Sequence, residues 1–570
     1  RLNKLNFVGT MRSGIGELKG EMRMDIDEEN NRSYTGTMTS TDLNVGKLID
    51  NHRFGRADLN IDFNGFNYRN NYPETSIKGV IASLEYGRYD YKNILMDGKF
   101  KDGGFNGRLT LNDINGTIEL QGMFNRAQAM PVYNIRTTVS KLRPNELHLT
   151  KNYEKKEISF NLTADFTGHS IDDLIGTISI DSLLLANPDS AEYFLDNLTI
   201  AATKLSGREK ELYISSSFLH ANVKGDYSYK TLPASILQTV RRYIPSLLTP
   251  EQNQAATHNH FHFSFRIDDA TFFEKIFLIP IQLHYPATLT GSINDYEEKV
   301  HIEGHFPEFR YRNTWYDSGS LLCENTSDQF LCRIRTGMLL NSGSMLNLSA
   351  DVKAKNNKLE TIINWGNNTN ETYVGKLASN TYFRKHEGKH PFLQARIDIE
   401  PTRVVMNDTV WNVHESRIEI DSGFVSVNNF LFEHGNQYIR VNGRLTKHPK
   451  DSCLIDLKNI DLSYLLSMVR FDAVEFGGQI TGKIDLKGVL GEMTMNTDLN
   501  VHHFLLNKSP LGEAKIRGQW DKALEGVRLW ADMEERGISK TNVTGFVSPK
   551  KEGLDLRIRA DSTDIGFLYP

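Results

Sequence analysis

Residues 479–487 read Gln-Ile-Thr-Gly-Lys-Ile-Asp-Leu-Lys and show the pattern on which the fold of this chain depends. Ile480, Ile484 and Leu486 fall on one side of an extended segment, and the Gln, Thr, Lys and Asp residues between them fall on the other. Alternation with a period of two residues is typical of a β-strand that has one dry face and one wet face. The stretch therefore predicts a strand of a half-buried sheet.

The same alternation recurs along the chain, for example in residues 56–63, 261–267, 527–533 and 554–560. Strand-like segments of this kind alternate with turn residues rather than with long helical patterns. Frequent short turns favour antiparallel pairing, because parallel strands need long crossover connections. We therefore expect an all-β protein.

Three sequence steps are typical of hairpin turns because Asn, Asp and Gly tolerate positive φ angles. They are Asp113-Ile-Asn-Gly116, Asn442-Gly443 and Asn64-Gly65. We predict a tight connection between two strands at each of them.

The composition is that of a folded chain with no strong electrostatic preference. Of 570 residues, 39% are hydrophobic and 24% are charged, and the net charge is −5. This balance gives no case for binding nucleic acid or an anionic membrane surface by charge. We find neither a signal peptide nor a run of about 18 apolar residues. Strand patterns continue to both ends, so we expect the chain to be a fragment of a longer protein.

The chain has three cysteines. Cys323 and Cys332 flank residues 325–328 and could face each other across a hairpin, so a disulfide and two reduced strand thiols are both possible. Cys453 is expected to be a small buried residue. Three cysteines do not make a disulfide scaffold, and the redox compartment stays open.

Two segments break the strand pattern. Residues 232–248 have apolar residues at helical spacing and the basic pair Arg241-Arg242, which predicts a short amphipathic helix that ends at Pro245 or Pro250. Residues 270–278 predict a second short helix. We favour a helix that packs on the open end of a sheet over a helix that lies on a membrane surface.

No motif predicts catalysis or a cofactor. Residues 477–484 resemble a phosphate-binding loop but end in Ile484 instead of a hydroxyl residue, and they alternate as a strand. His258, His260 and His262 share one strand face and are expected to be solvated rather than to bind a metal ion. Residues 25–30 lack the Gly and Glu of an EF-hand and predict a hairpin turn. We expect neither an enzyme nor a cofactor.

A short unit rich in Leu with Asp or Asn follows a strand in several places, at residues 41–48, 139–147, 459–465 and 561–568. We expect each unit to end one set of strands and to carry the chain to the next. Repeats of this kind predict a quasi-one-dimensional architecture.

Three stretches resemble a known family. Residues 476–520 combine a Gly-initiated pair of amphipathic strands with a His-His-Phe-Leu-Leu-Asn step and end in Trp520. Residues 85–124 contain a Tyr-x-Tyr-x-Asn-Ile step, and residues 404–465 contain Asn407-Asp-Thr-Val-Trp411. Together they resemble the TamB/AsmA-like family, which is similar to bridge-like lipid transfer proteins. Residues 153–370 match this family in style only.

The resemblance implies an elongated, curved, mostly antiparallel sheet that forms a U-shaped hydrophobic groove, with a few short helices. It implies one continuous rod made of residues 1–150, 151–400 and 401–570. It also implies a location in the periplasm of a diderm bacterium, an inner-membrane anchor outside this sequence, phospholipids as cargo and an Omp85-type outer-membrane barrel as partner. The function that it implies is transfer of phospholipids between the inner and outer membranes.

In this interpretation, the apolar sides of the alternating segments line the groove and contact lipid. The predicted lining consists of Leu59, Ile61, Phe63, Leu109, Leu111, Phe261, Phe263, Phe265, Ile480, Ile484, Leu486, Leu529, Leu556 and Ile558.

Two alternatives remain open, because alternation shows which side of a strand is dry but not what covers it. The apolar faces could cover each other, as in a structural or adhesive β-solenoid. The chain could also be a scaffold that holds outer-membrane strands by pairing at an exposed sheet edge.

Overall fold

The structure is a computed structural model. It describes residues 3–48, 50–67, 74–101, 104–125, 130–187, 190–247, 258–340, 343–367, 373–386, 392–406, 408–462, 476–506, 509–523, 525–535, 537, 539–548 and 553–561. Some residues named in the sequence analysis lie outside these ranges. They are Asn407, residues 562–568 of the predicted unit at residues 561–568, and residues 463–465, which end two other predicted stretches.

The described residues contain 36 strands. The first eighteen are β1 (Lys4–Ser13), β2 (Gly16–Ile26), β3 (Arg32–Asn44), β4 (Phe54–Asn67), β5 (Glu74–Tyr86), β6 (Tyr89–Lys101), β7 (Gly104–Asp113), β8 (Gly116–Asn125), β9 (Val132–Leu142), β10 (Glu157–Thr167), β11 (Ile175–Asn187), β12 (Ser190–Lys204), β13 (Lys210–Ser216), β14 (Leu219–Asp226), β15 (His260–Ile267), β16 (Ile281–Leu283), β17 (Ala287–Asn294) and β18 (Lys299–Tyr311). The others are β19 (Thr314–Asn325), β20 (Phe330–Leu339), β21 (Met345–Lys355), β22 (Lys358–Gly366), β23 (Val374–His386), β24 (Phe392–Ile399), β25 (Thr402–Met406), β26 (Thr409–Val413), β27 (Ser416–Ile420), β28 (Phe424–His434), β29 (Gln437–Thr446), β30 (Ser452–Asp461), β31 (Phe476–Lys487), β32 (Thr494–Leu506), β33 (Ser509–Asp521), β34 (Gly526–Glu535), β35 (Ser539–Ser548) and β36 (Gly553–Asp561).

The chain divides into two compact units. Unit 1 comprises Arg1–Ser235, Thr257–Glu298 and Ile302–Trp315, and unit 2 comprises Ile236–Ala256, Lys299–His301 and Tyr316–Pro570. In unit 1, each strand from β1 to β15 pairs antiparallel with the next, and β15 then pairs with β17. In unit 2, the strands from β20 to β24 and from β27 to β36 pair in the same sequential way. The prediction of an all-β, antiparallel fold is confirmed.

Helices are few in the described part of the chain: α1 (Val45–Leu48), α2 (Leu232–Tyr243), α3 (Thr271–Ile276) and the 3-10 turns Ile171–Asp173 and Pro245–Leu247. Both predicted helices are present, each shorter than its sequence pattern. Tyr243, at the end of α2, is buried against Phe330, Ala354, Leu359 and Phe383, and its hydroxyl donates to the carbonyl oxygen of Thr326 at 2.6 Å. The end of the helix thus packs on the sheet. None of the helices described is long and apolar enough to span a membrane.

The turn predictions are only partly correct. The Asp113–Gly116 step joins β7 to β8, as predicted. Asn64-Gly65 lies inside β4 and Asn442-Gly443 lies inside β29, so both hairpin predictions are wrong. A side chain on Gly65 would overlap the ring of Tyr34, and one on Gly443 would overlap the backbone of Ser452. Both glycines are thus required by close approach within the sheet rather than by a turn.

β-Bulges interrupt several strands, and seven of them contain a residue with a left-handed backbone. These residues are Asp42, Lys141, Ser182, Ser318, Asn429, Asn459 and His503, with φ angles between 49° and 56°. A bulge adds one residue, so the residue after it returns to the apolar face. Leu43, Leu142, Leu183, Ile460 and Phe504 follow five of the bulges and are all buried. The predicted units at residues 41–48 and 139–147 begin near bulges in β3 and β9 and continue into the connection to the next strand, as expected, but that strand pairs within the same sheet, so they do not separate sets of strands. The unit at residues 459–465 begins at the bulge in β30, and its last three residues lie outside the described range.

At five of these bulges, a polar side chain on the neighbouring strand accepts the backbone N–H of the left-handed residue. The pairs are Asp42 N–H to Asp58 Oδ1 (2.7 Å), Lys141 N–H to Ser159 Oγ (2.8 Å), Asn429 N–H to Asn442 Oδ1 (3.2 Å), Asn459 N–H to Thr481 Oγ1 (2.9 Å) and His503 N–H to Glu513 Oε1 (3.3 Å). Because an unpaired N–H is costly inside a sheet, these acceptors hold the bulges in place.

Apart from the bulge at Asn429, which lies in the middle of β28, the bulges with a left-handed residue lie toward one side of each unit. In unit 1, β3, β9 and β11 run toward this side, and in unit 2 β28, β30 and β32 do so. We call this side the bulged edge and the other the opposite edge. Between β1 and β12, the buried Leu, Ile and Val side chains lie toward the bulged edge, and further along this edge Phe272 of α3 stacks on Phe218 with the ring centroids 4.2 Å apart.

Cys323 and Cys332 are directly opposite each other in β19 and β20, with their Cα atoms 4.1 Å apart, and they form a disulfide. Of the two possibilities that the sequence left open, the structure has the cross-hairpin bond. Cys453 is buried and free, as expected.

We predict that the bulge at Asn459 depends on its acceptor. Thr481→Val removes the hydroxyl and should destabilise unit 2 by about 1–3 kcal/mol, the usual cost of an unsatisfied buried donor. Thr481→Ser keeps the acceptor and should leave stability nearly unchanged. Hydrogen exchange at the Asn459 amide and the thermal midpoint measure both effects. Equal behaviour of the Val and Ser variants would show that the acceptor does not stabilise the bulge.

Candidate functional site

One face of unit 1 is apolar in every strand. A row is a line of residues that lie directly opposite one another in successive strands. The Gly107 row takes one residue from each of β1 to β15 and from β17. It consists of Phe7, Met22, Gly36, Phe63, Ile77, Gly98, Gly107, Gly122, Ile135, Ala164, Ile178, Ile200, Ile214, Ala221, Phe265 and Leu289. No member of this row is polar.

The residues next to the Gly107 row in each strand form a row that points to the other face of the sheet and is almost entirely polar. It consists of Val8, Glu21, Thr37, Asp62, Lys78, Asp97, Arg108, Gln121, Arg136, Thr163, Ser179, Thr199, Ser215, His220, Arg266 and Thr288. Only Val8 is apolar. A slip of one residue at any strand would place charged side chains on the apolar face, so the register of the whole unit is fixed by this contrast.

Three further rows lie beside the Gly107 row on the same face. Toward the opposite edge lies the Phe105 row, and toward the bulged edge lie the Leu109 row and then the Leu111 row. The Phe105 row is Leu5, Met24, Tyr34, Gly65, Thr75, Phe100, Phe105, Phe124, Tyr133, Phe166, Gly176, Ala202, Leu212, Val223, Phe263 and Gly291. The Leu109 row is Gly9, Gly20, Met38, Ile61, Gly79, Met96, Leu109, Leu120, Thr137, Leu162, Ile180, Leu198 and Ser216. The Leu111 row is Met11, Leu18, Ser40, Leu59, Ile81, Ile94, Leu111, Ile118, Val139 and Phe160. None of the four rows contains a charged residue.

The structure brings the predicted lining residues of unit 1 onto this one face. The Leu111 row holds Leu59 and Leu111, the Leu109 row holds Ile61 and Leu109, the Gly107 row holds Phe63 and Phe265, and the Phe105 row holds Phe263. Phe261 lies on the same face of β15, one step further toward the opposite edge, and is buried. Their contact with lipid stays a prediction.

Unit 2 repeats the arrangement. One row consists of Val413, Phe432, Ile439, Leu457, Gly482, Leu499, Ile516, Ala531, Val543 and Ile558, and its neighbour consists of Phe430, Val441, Ile455, Ile484, Thr497, Gly518, Leu529, Gly545 and Leu556. Ile480 and Leu486 lie on the same face of β31. The six predicted lining residues of this unit therefore also share one face. Ile480 is buried, whereas Leu556 and Ile558 are exposed.

Aromatic rings lie over glycines on this face, a feature that the sequence analysis missed. A side chain added to Gly98 would overlap the ring of Phe105, and one added to Gly36 would overlap the ring of Phe63. The ring of Trp365 covers Gly375 in unit 2 in the same way. The signal in the sequence is Gly at an apolar position of an alternating strand, as in Phe105-Asn-Gly107. At these positions the ring of a neighbouring residue covers the backbone of the glycine and forms the apolar surface.

The face is partly open. Every Met, Phe, Ile and Leu of the Gly107 row from β2 to β17 is half-buried. Near β1, a cavity of about 580 Å³ opens over Phe7, Met11, Met22, Met38 and Phe63, all on this face. The side chains therefore have neighbours within the sheet and retain apolar surface that a further molecule can cover.

The titratable groups on this face lie near its margins and include Tyr89, Asp113 and Lys210. Tyr89 donates to Asp113 Oδ1 at 2.6 Å, and burial together with this carboxylate raises the pKa of Tyr89 to about 12. Lys210 lies 4.5 Å from the ring centroid of Tyr227, and burial lowers the pKa of this lysine. These contacts hold the sheet margins together.

The other sequence features that could suggest chemistry are strand or turn residues. The segment that resembles a phosphate loop lies within β31. His258, His260 and His262 are exposed, and no metal-binding group of three side chains occurs among the described residues. Residues 27–31 form the turn between β2 and β3, where Asp27 Oδ1 accepts the N–H of Asn31 at 2.8 Å.

No family model and no curated protein matches this chain. The resemblance to the TamB/AsmA-like family therefore stays a prediction from the quoted residues. Two of the steps that carry it contain left-handed strand residues at the bulged edge, Asn93 and His503.

We predict that the ring of Phe105 and the absent side chain of Gly98 are coupled. Gly98→Ala should destabilise unit 1 by about 1–3 kcal/mol, because the methyl group lifts the ring. In a Phe105→Ala background, the same change should cost little. A double-mutant cycle of unfolding midpoints measures the coupling. Additive effects would mean that the ring does not pack on Gly98.

Proposed function

We propose that this chain binds phospholipid acyl chains along its apolar face and conducts them from one strand to the next. The observation that carries the proposal is the set of four adjacent rows in unit 1, which contain no charged residue and keep apolar surface exposed to solvent. The alternative of a solenoid, in which protein covers the whole face, fits this partial exposure less well.

The energetics suit a conduit. Removing apolar surface from water gains about 25 cal/mol per Å², which is about 0.8 kcal/mol for each buried methylene. This gain has no direction, so an acyl chain that advances by one strand meets a similar surface and a similar energy. The rings of Phe63 and Phe105 cover Gly36 and Gly98 of the Gly107 row, so these glycines do not form deep pockets in which a chain would stop.

The proposal includes the compartment that the resemblance implies. The periplasm separates two phospholipid membranes, so a protein with a long apolar face would find both a source and an acceptor of lipid there. An inner-membrane anchor outside this sequence and an Omp85-type partner belong to the same proposal.

Charge in the middle of the apolar face should block transfer. Ile61 lies in the Leu109 row, and its neighbour Asn60 points to the wet face. We expect Ile61→Asp to slow transfer of a fluorescent phospholipid between vesicles by about tenfold, because a buried carboxylate among acyl chains is strongly unfavourable. Ile484→Asp tests unit 2 in the same way.

The matched control is Asn60→Asp, which adds the same charge one residue away on the wet face and should transfer lipid at the rate of the unmodified protein. Circular dichroism confirms that each variant is folded. Transfer at an unchanged rate by folded Ile61→Asp and Ile484→Asp would contradict the proposal.

A further inference from the structure

A run of exposed apolar residues lies between α3 and β16 in unit 1. Phe277, Leu278 and Ile279 are 60%, 48% and 44% exposed, and Pro280 after them is exposed as well. We call residues 277–280 the apolar tip. Nowhere else in the described part of the chain are four consecutive residues all apolar and exposed. Single exposed apolar side chains are normal on a protein surface, but a contiguous group of large ones marks a binding surface.

The backbone of the apolar tip holds these side chains in the exposed position. The N–H groups of Phe277 and Ile279 both donate to the carbonyl oxygen of Phe273, at 3.1 Å and 3.0 Å. Leu278 between them has a φ angle of 56°, a left-handed conformation that is unfavourable for a bulky side chain. A conformation of this kind persists only where the surrounding structure imposes it, and such positions cluster at functional sites. The exposure of the tip is therefore a built feature of the loop.

The helix before the tip attaches it to the covered part of the sheet. Phe272 of α3 is buried in a cluster with Leu183, Leu195 and Leu198. The ring centroid of Phe277 lies 5.6 Å from that of Phe272. Because the first tip residue packs on a buried core residue, a molecule that binds the tip is held by the sheet and not by a loose loop.

An aromatic and a cationic residue lie beside the tip. The N–H of Arg312 donates to the carbonyl oxygen of Pro280 at 2.8 Å, and Tyr311 lies directly opposite Ile281 where β18 pairs with β16. Tyr311 is 42% exposed, and the guanidinium of Arg312 lies 5.6 Å from the centroid of its ring. Arg312 is exposed and has no ion pair with any described residue. Tyrosine and arginine next to an apolar segment are typical of protein regions at the level of lipid headgroups.

The size of the tip favours a membrane surface over a protein partner. A stable protein–protein interface buries about 800 Å² on each partner, which is far more than four residues of one loop provide. A bilayer needs no complementary shape, because each apolar side chain that enters it leaves water independently of the others. The acidic residues on the neighbouring segments are paired, since Glu274 lies 3.9 Å from Lys275 and Glu308 lies 3.7 Å from His284.

We propose that the apolar tip inserts into the surface of a phospholipid bilayer and docks unit 1 on a membrane. Phe277, Leu278 and Ile279 enter the boundary between headgroups and acyl chains, and Arg312 pairs with a lipid phosphate. This inference goes beyond the proposed function and does not rest on it, because a membrane contact at the tip is independent of whether lipid moves along the apolar face.

A fluorescent probe at the tip tests the insertion. A thiol introduced by Leu278→Cys is the only accessible one, because Cys323 and Cys332 are bonded and Cys453 is buried. We attach a nitrobenzoxadiazole group to it and add vesicles of phosphatidylethanolamine and phosphatidylglycerol. We expect the emission to rise by about threefold, because the probe leaves water. Lipid with a spin label on the acyl chain should quench this emission.

The matched control carries the same probe at Ile114→Cys, in the turn between β7 and β8, where the native side chain is 90% exposed. Its emission should not change when vesicles are added. An unresponsive probe at the tip, or an equal response at both positions, would overturn the proposal.

A second variant separates membrane contact from folding. Asparagine is polar and tolerates the left-handed backbone better than leucine, so Leu278→Asn should unfold at the same temperature as the unmodified protein or higher. We expect its vesicle partition coefficient, measured by flotation, to fall about fivefold, because an amide replaces an apolar side chain. Ile114→Asn should leave this coefficient unchanged.

Three results of this comparison are distinct. Folded Leu278→Asn that partitions like the unmodified protein would overturn the proposal. A dimer in light scattering that Leu278→Asn abolishes would also overturn it, because the tip would then bind a second copy of the chain. The number of phospholipids that copurify with the chain should be equal in both proteins, so a failure of the proposed function is read separately from a failure of docking.

Discussion

The rest of the structure depends on one constraint: a very wide sheet with one apolar face must hide that face from water. The hydrophobic gain is proportional to area, and the area here grows with every added strand. The chain itself covers part of the apolar face, because α3 and the connection around Leu147 pack on it at the bulged edge. The remaining rows keep exposed apolar surface, which is why we look for a ligand that is itself a long apolar chain.

The same constraint explains the regularity of the pairing. The Gly107 row stays apolar across β1 to β15 and β17 only because no one-residue slip accumulates between neighbouring strands at this position. The bulges at Asp42, Lys141 and Asn459, which shift the register, lie near the bulged edge, where the acceptors Asp58, Ser159 and Thr481 satisfy the freed N–H groups. In unit 1, a bulge at the Gly107 row would bring charged residues such as Lys78 or Asp97 onto the apolar face.

Much of the fold follows from the sequence because alternation is a local property. The strands around residues 56–63, 261–267 and 479–487 and both short helices lie where their patterns predict. The wrong predictions concern residues whose role depends on a neighbouring strand. Gly65 was predicted to lie in a turn, but it is a strand residue covered by the ring of Tyr34. Asn459 was predicted to begin a connection, but it is a bulge residue whose N–H donates to Thr481 Oγ1.

The candidate site was predictable only in part, because several of its features also depend on which residues lie opposite one another in neighbouring strands. Each predicted lining residue lies on an apolar face, because alternation assigns the face strand by strand. The continuity of the rows, the aromatic border formed by Phe100, Phe105 and Phe124, and the difference between the two edges all depend on register and connectivity. No single strand carries that information.

The most direct test of the account is quantitative mass spectrometry of the lipids that remain bound to the chain after expression in the periplasm and purification without detergent. The account predicts several phospholipid molecules per folded chain, held by the exposed apolar rows. A well-folded, monodisperse chain with less than one phospholipid per molecule would contradict it, because the apolar face would then be covered by protein alone.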